Sequence, residues 1–144
     1  MNIIEFFDQN WQLQKWQQVF SKRERTLLTG LSGTAKSLVM ANAYENVADK
    51  YIIVTDSQFH ANELYDELST LLGEEKVFQS FSDDNIYAEF ALASKDRVAY
   101  RLEALNFLLD EKSTGFLVVP FLALRSYLPS PENFLENYLL LTSG

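Results

Sequence analysis

The sequence predicts an α/β domain with a mainly parallel sheet flanked by helices, and three observations carry that expectation. Tyr51-Ile52-Ile53-Val54-Thr55 and Phe116-Leu117-Val118-Val119 are unbroken apolar runs of the kind a parallel sheet buries on both faces. Segments of helical periodicity separate such runs, with lengths that suit the right-handed crossovers between parallel neighbours. At 144 residues and 47% hydrophobic, the chain can also bury one core of ordinary domain size and is too apolar to be a disordered segment.

The elements follow in order. Ile3, Phe6 and Phe7, then Leu13, Trp16 and Phe20 after a break at residues 8–10, give two short amphipathic helices. A basic cluster, Lys22, Arg23 and Arg25, precedes Thr26-Leu27-Leu28-Thr29, which suits a short buried strand ended by Gly30. Beyond the loop from Gly30 to Ala35, the run Lys36 to Asn46 reads as a largely buried helix. Tyr51 to Thr55 is the next strand, and Ser57 N-caps a helix whose apolar positions Ala61, Leu64, Leu68, Leu71 and Leu72 continue until Gly73 stops it. Lys76 to Gln79 is a weaker strand. Asp83, Asp84 and Asn85 punctuate the chain before a long helix, capped by Ser94, with the stripe Val98, Leu102, Leu105 and Leu109. Gly115 breaks that helix, Phe116 to Val119 follows as a strand, Ser130-Pro131 starts a helix with proline at its first position, and Tyr138 to Thr142 opens another strand.

Composition narrows the chemistry. With no cysteine, a disulfide scaffold, a thiolate nucleophile and Cys-ligated zinc are excluded; a single histidine, His60, leaves His-based metal cages and Ser-His triads short of parts. Twelve Lys+Arg against 20 Asp+Glu give a net charge of −8, which argues against a free-standing module that wraps DNA, because phosphate contacts need clustered cations. Residues 1–7 carry Glu5 and no basic leader, and the longest apolar run, Phe116 to Leu124, holds Pro120 and is about half of the roughly 20 residues that span a bilayer. No membrane contact and a cytoplasmic location are the expectations.

The strongest local signal is Gly30-Leu31-Ser32-Gly33-Thr34-Ala35-Lys36-Ser37, between an expected strand and an expected helix. It matches three of the four fixed positions of the phosphate-loop pattern G-x-x-x-x-G-K-[ST]. In that pattern backbone amides at a helix N-terminus cradle phosphates, the lysine (here Lys36) reaches the terminal ones, and the hydroxyl (here Ser37) takes magnesium. Ala35 stands at the second glycine, where the methyl group is expected to obstruct both a strained turn and the close approach of phosphate. Hydrolysis would further need a strand-end carboxylate to hold magnesium. Asp56 ends a strand but precedes Ser57 at a helix start, where it serves capping; Asp110-Glu111 lies at a helix end.

This loop, the run Ile53 to Leu68 that begins Ile-Val-Thr-Asp-Ser-Gln-Phe-His, the stretch Ala91 to Leu105 and the stretch Val118 to Phe134 resemble, in order, the N-terminus of the bacterial transcription-repair coupling factors, the Mfd family, in its low-GC Gram-positive form. The resemblance implies a first module like domain 1a of the excision-repair subunit UvrB, a helicase-like, RecA-like P-loop fold. Residues 1–136 would form that domain, and 137–144 would begin the next one, which recruits UvrA. It also implies a degenerate nucleotide loop at Gly30, Gly33, Thr34, Ala35, Lys36 and Ser37, with no catalytic residue, metal or cofactor in this segment. ATP, magnesium and DNA would be handled by a motor far downstream, and RNA polymerase and UvrA would be met through other domains. Lys36 and Ser37, which the family often loses, persist here, so a genuine nucleotide-binding domain of a UvrB-like helicase that tolerates Ala35 stays open as the alternative. The segment Gln79 to Ser94 leaves no room for the long aromatic hairpin of UvrB-like proteins.

The other polar and aromatic clusters have ordinary roles. His60 is expected to be a partly exposed structural histidine, and Asp83, Asp84 and Glu89 to serve the N-terminus of the following helix rather than a cation. Lys22, Arg23 and Arg25 beside Glu24 read as a solvated turn. Trp11 and Trp16 do not share a helical face, so one is core and the other meets a neighbouring domain; Tyr127 to Pro129 and Phe134 are placed to form a domain junction.

Overall fold

Alternating apolar runs and helical segments become a three-layer α/β/α arrangement. The computed structural model describes residues 22, 24–81, 94–125 and 128–136. The elements in chain order are α1 (Ala35–Asn46), β1 (Lys50–Thr55), α2 (Gln58–Leu72), a 3-10 turn (Glu74–Lys76), β2 (Val77–Gln79), α3 (Ser94–Leu109), β3 (Gly115–Pro120), a 3-10 turn (Phe121–Arg125) and α4 (Pro131–Glu136). The sheet order is β1-β3-β2 and both pairings are parallel, with Ile53 opposite Val118 and Val77 opposite Phe116.

The central strand, β3, is buried at every residue because helices cover both of its faces. Its alternate side chains enter two cores. Phe116 and Val118 join Ala41 and Tyr44 of α1, Ala61 and Leu68 of α2, and Val77 of β2. Leu117 and Val119 join Ala104 and Phe107 of α3, together with Ala123 and Phe78. Stacked rings tie β1 to β3, Tyr51 on Phe116 at 5.1 Å, and β2 to α3, Phe78 on Phe107 at 4.5 Å, and a buried ring such as Phe116 or Phe107 contributes about 1.5–3 kcal/mol.

Local chemistry sets the element ends. The Ser57 hydroxyl accepts from the His60 amide at 3.3 Å and caps α2, and Ser130 does the same for α4 through the Asn133 amide at 3.3 Å. Gly115 does not end α3, which stops at Leu109. It opens β3 with φ 145°, donates its amide to the Asp49 carbonyl at 3.0 Å, and lies so close to the Lys76 carbonyl that a Cβ would collide with it.

Three further expectations change. Thr26 to Thr29 is not a strand: the sheet forms without it, and Leu27 is 85% exposed. Four residues are too few for an apolar run to distinguish a buried strand from an extended connection. The expected α3 stripe is rotated, with Val98 and Leu102 exposed and only Leu105 of it buried, because Ala104 and the larger Phe107 face the sheet. β1 is not buried on both faces: Tyr51 and Ile53 meet α1 and α2, whereas Ile52 and Val54 on the α3 side are exposed, since α3 lies over β2 and β3. The expected helices in residues 3–20, the punctuation at Asp83 to Asn85, the strand from Tyr138 and the segment 137–144 lie outside the described residues.

Candidate functional site

The phosphate-loop-like segment reaches the carboxyl edge of the sheet, where crevices of open α/β folds usually lie. Gly33 takes φ 54°, a left-handed turn that redirects the backbone into α1. Thr34 follows in a right-handed conformation, φ −60° and ψ −13°, and Ala35 is the first helical residue. The methyl of Ala35 therefore imposes no backbone strain, contrary to the conformational part of the sequence expectation. The left-handed turns are carried by Gly30 and Gly33. The amides of Ala35 and Lys36 are engaged within the turn, donating to the carbonyls of Ser32 and Gly33, each at 3.3 Å.

One residue that no sequence pattern singled out organises this loop. Glu67, on the third turn of α2, accepts from Thr34 Oγ1 through Oε1 at 3.1 Å and from the Ser37 hydroxyl through Oε2. Ser37 is fully buried beneath that contact. The first turn of α1 has no acidic residue of its own, so this carboxylate from 30 to 33 residues away complements the positive end of the helix. The pairing depends on how α1 packs on α2, which explains why spacing along the chain carried no signal for it.

Beside the loop is a cleft of about 480 Å³, lined among others by Gly33, Lys36, Ser37, Asp56, His60 and Glu67. Lys36 is exposed and makes no ion pair among the described residues. Asp56 follows the end of β1, as read from the sequence, and braces the α2 cap: Oδ1 accepts from the Ser57 hydroxyl at 3.1 Å and lies 2.6 Å from His60 Nδ1. The hydrogen bond with His60 holds the Asp56 carboxyl below its ordinary value, outweighing the opposing effect of desolvation, and the hydrogen bond with Ser57 adds to it. The histidine is exposed, as expected, and its ring also packs edge-on against Phe59.

The hydroxyls of Thr34 and Ser37 are thus committed to a carboxylate, and Glu67 together with Glu63 puts negative charge where a phosphate would approach. Among the described residues no group of three His, Asp or Glu is disposed to hold a metal ion. Asp110 follows the end of α3, as expected, and its carbonyl accepts from Lys50 Nζ at 2.6 Å. Lys22 and Arg25 are exposed, as are Leu128 and Pro129, while Phe134 is half-buried. Trp11, Trp16, Arg23, Asp83, Asp84, Glu89 and Tyr127 lie outside the described residues, and no helix among the described residues is long and apolar enough to cross a membrane.

Parallel sheet, helices on both faces and a glycine turn opening a helix at the sheet's carboxyl edge define an α/β domain consistent with the UvrB-domain-1a type. Its relatives sharpen this. The chain is 33% identical over 119 residues, 82% of its length, to the transcription-repair-coupling factor of Bacillus subtilis strain 168, and 28% identical over 127 residues, 88% of its length, to that of Staphylococcus aureus strain bovine RF122. It is therefore homologous to a segment of the transcription-repair-coupling factors, spanning only 10% and 11% of these two relatives. No family model matches the chain, and no solved structure matches it.

Proposed function

We propose that the chain is the N-terminal part of a transcription-repair coupling factor: a helicase-like domain that keeps the fold, has lost nucleotide chemistry, and serves as a structural and interaction module in transcription-coupled DNA repair. The observation that carries this reading is the Glu67 carboxylate on the hydroxyls of Thr34 and Ser37, the groups a phosphate loop would turn toward magnesium and phosphate. In this reading Gly30, Gly33, Thr34, Ala35, Lys36 and Ser37 are the remnant of a nucleotide loop. ATP hydrolysis with magnesium, DNA translocation and displacement of stalled RNA polymerase belong to a downstream motor. UvrA is recruited by the adjoining domain that begins at 137–144, in the cytoplasm.

A second reading, a genuine nucleotide-binding domain of a UvrB-like helicase, is favoured by one arrangement: Lys36, Ser37 and the strand-end Asp56 line the same cleft. Phosphate release from Mg-ATP, with and without DNA, separates the two. No turnover above buffer is expected for the wild-type chain or for Ala35→Gly, because Glu67 occupies the loop in both. Turnover abolished by Lys36→Ala would establish the second reading.

A further inference from the structure

We propose that the bare flank of β1 on the α3 side is a docking surface for this chain's own segment Leu13 to Phe20, with Trp16 as the side chain that seats on Ile52 and Val54.

The sheet leaves room on that side for one more helix. With its side chains a helix is about 10–12 Å across, and neighbouring strands lie about 4.8 Å apart, so one helix covers about two strands. There α3 takes β2 and β3. β1 is the outer strand of the order β1-β3-β2, and no helix among the described residues covers its α3 side, where Ile52 is 57% and Val54 49% exposed. Lys50 Nζ donates to the Leu108 carbonyl at 3.1 Å, which ties the end of α3 to the start of β1 while both apolar side chains stay open. The other flank is closed, since Tyr51 and Ile53 pack with α1 and α2. An outer strand with a bare apolar flank invites pairing with a second chain unless it is covered.

The sequence before the loop supplies a cover of matching shape. Leu13, Trp16 and Phe20 fall at i, i+3 and i+7, while Gln12, Gln14, Lys15 and Gln18 make the opposite face polar. That stripe is about 10 Å long at 1.5 Å per residue, and Ile52 to Val54 spans about 7 Å along the strand. Nine residues join Phe20 to Gly30. Extended, they reach up to about 30 Å, more than the roughly 20 Å length of β1, so the chain can pass from this flank to the loop at the carboxyl edge. The same placement turns Trp11, which does not share the face of Trp16, away from the sheet.

The test uses Trp16 as its own reporter. The chain has two tryptophans, so Trp11→Phe leaves Trp16 as the sole fluorophore. In that background Trp16 is expected to emit in the blue-shifted range of a buried indole. Adding Val54→Asp sets a carboxylate beneath the ring and should shift the emission to the red and raise the acrylamide quenching constant at least about twofold. Phe59→Asp, at an exposed position of α2 in the opposite layer, should change neither. Circular dichroism confirms that each variant is folded, and Ile52→Ala supplies a milder form of the readout should Val54→Asp not fold. A water-exposed Trp16 in the parent, or emission unmoved in a folded flank variant, would overturn the inference. Sedimentation should show a monomer; a dimer that Val54→Asp dissociates would give the flank to a second copy and overturn it as well.

Discussion

Phe107→Ala and Leu102→Ala, made separately, test which face of α3 holds the sheet. Phe107 is 2% exposed and its ring stacks on Phe78 at 4.5 Å, whereas Leu102, which belongs to the helical stripe read from the sequence, is 46% exposed. Truncating a buried phenylalanine costs about 3–5 kcal/mol through lost transfer energy and the cavity left behind. The half-exposed leucine should cost about 1 kcal/mol or less. Urea unfolding followed by far-ultraviolet circular dichroism measures both, with an unchanged slope expected for each so that the midpoint reports stability alone. In a Phe78→Leu, Phe107→Leu double-mutant cycle the ring pair should show a coupling of about 0.5–1.5 kcal/mol. Equal or greater destabilisation by Leu102→Ala would mean that α3 is rotated and that the second core is wrongly assigned.

Other outcomes follow from individual contacts. Gly115→Ala should destabilise by at least about 2 kcal/mol in the same urea assay, because φ 145° is strained for alanine and the new methyl collides with the Lys76 carbonyl; a smaller cost would mean that β2 and β3 can separate freely. Asp56 is held below its ordinary value of 3.8 by His60 and Ser57, so its contribution is present above that pH and lost as pH falls below it. Asp56→Asn should therefore lower the melting temperature slightly at neutral pH, and the difference should vanish on acidification below 3.8; a difference that grows in acid contradicts the pairing. Mixed with UvrA on gel filtration, the chain should elute apart from it, and a stable complex would assign part of the recruiting surface to residues 1–136.

Much of the fold could be read from local chemistry. The Ser57 cap, the left-handed Gly73 that closes α2 and the β-branched runs of β1 and β3 all act through residues close in sequence, and each appears where expected. The misread features depend on partners distant in sequence. The face of α3 is set by Phe78 and Leu117 beneath it, which outweigh the regular leucine spacing. β1 is half-exposed because of where α3 lies rather than through its own composition. The loop illustrates both cases: its place before a helix was legible from the glycines, but its state was not, because that depends on a glutamate about thirty residues further along. Ala35 also shows a limit of matching a pattern, since its turn is tolerant of a side chain while the chemistry of the loop is changed by Glu67.

Calorimetric titration of the wild-type chain with Mg-ATP tests the central claim, that the fold persists without nucleotide binding. No binding heat is expected at millimolar ATP. Micromolar binding that disappears in Lys36→Ala would contradict it.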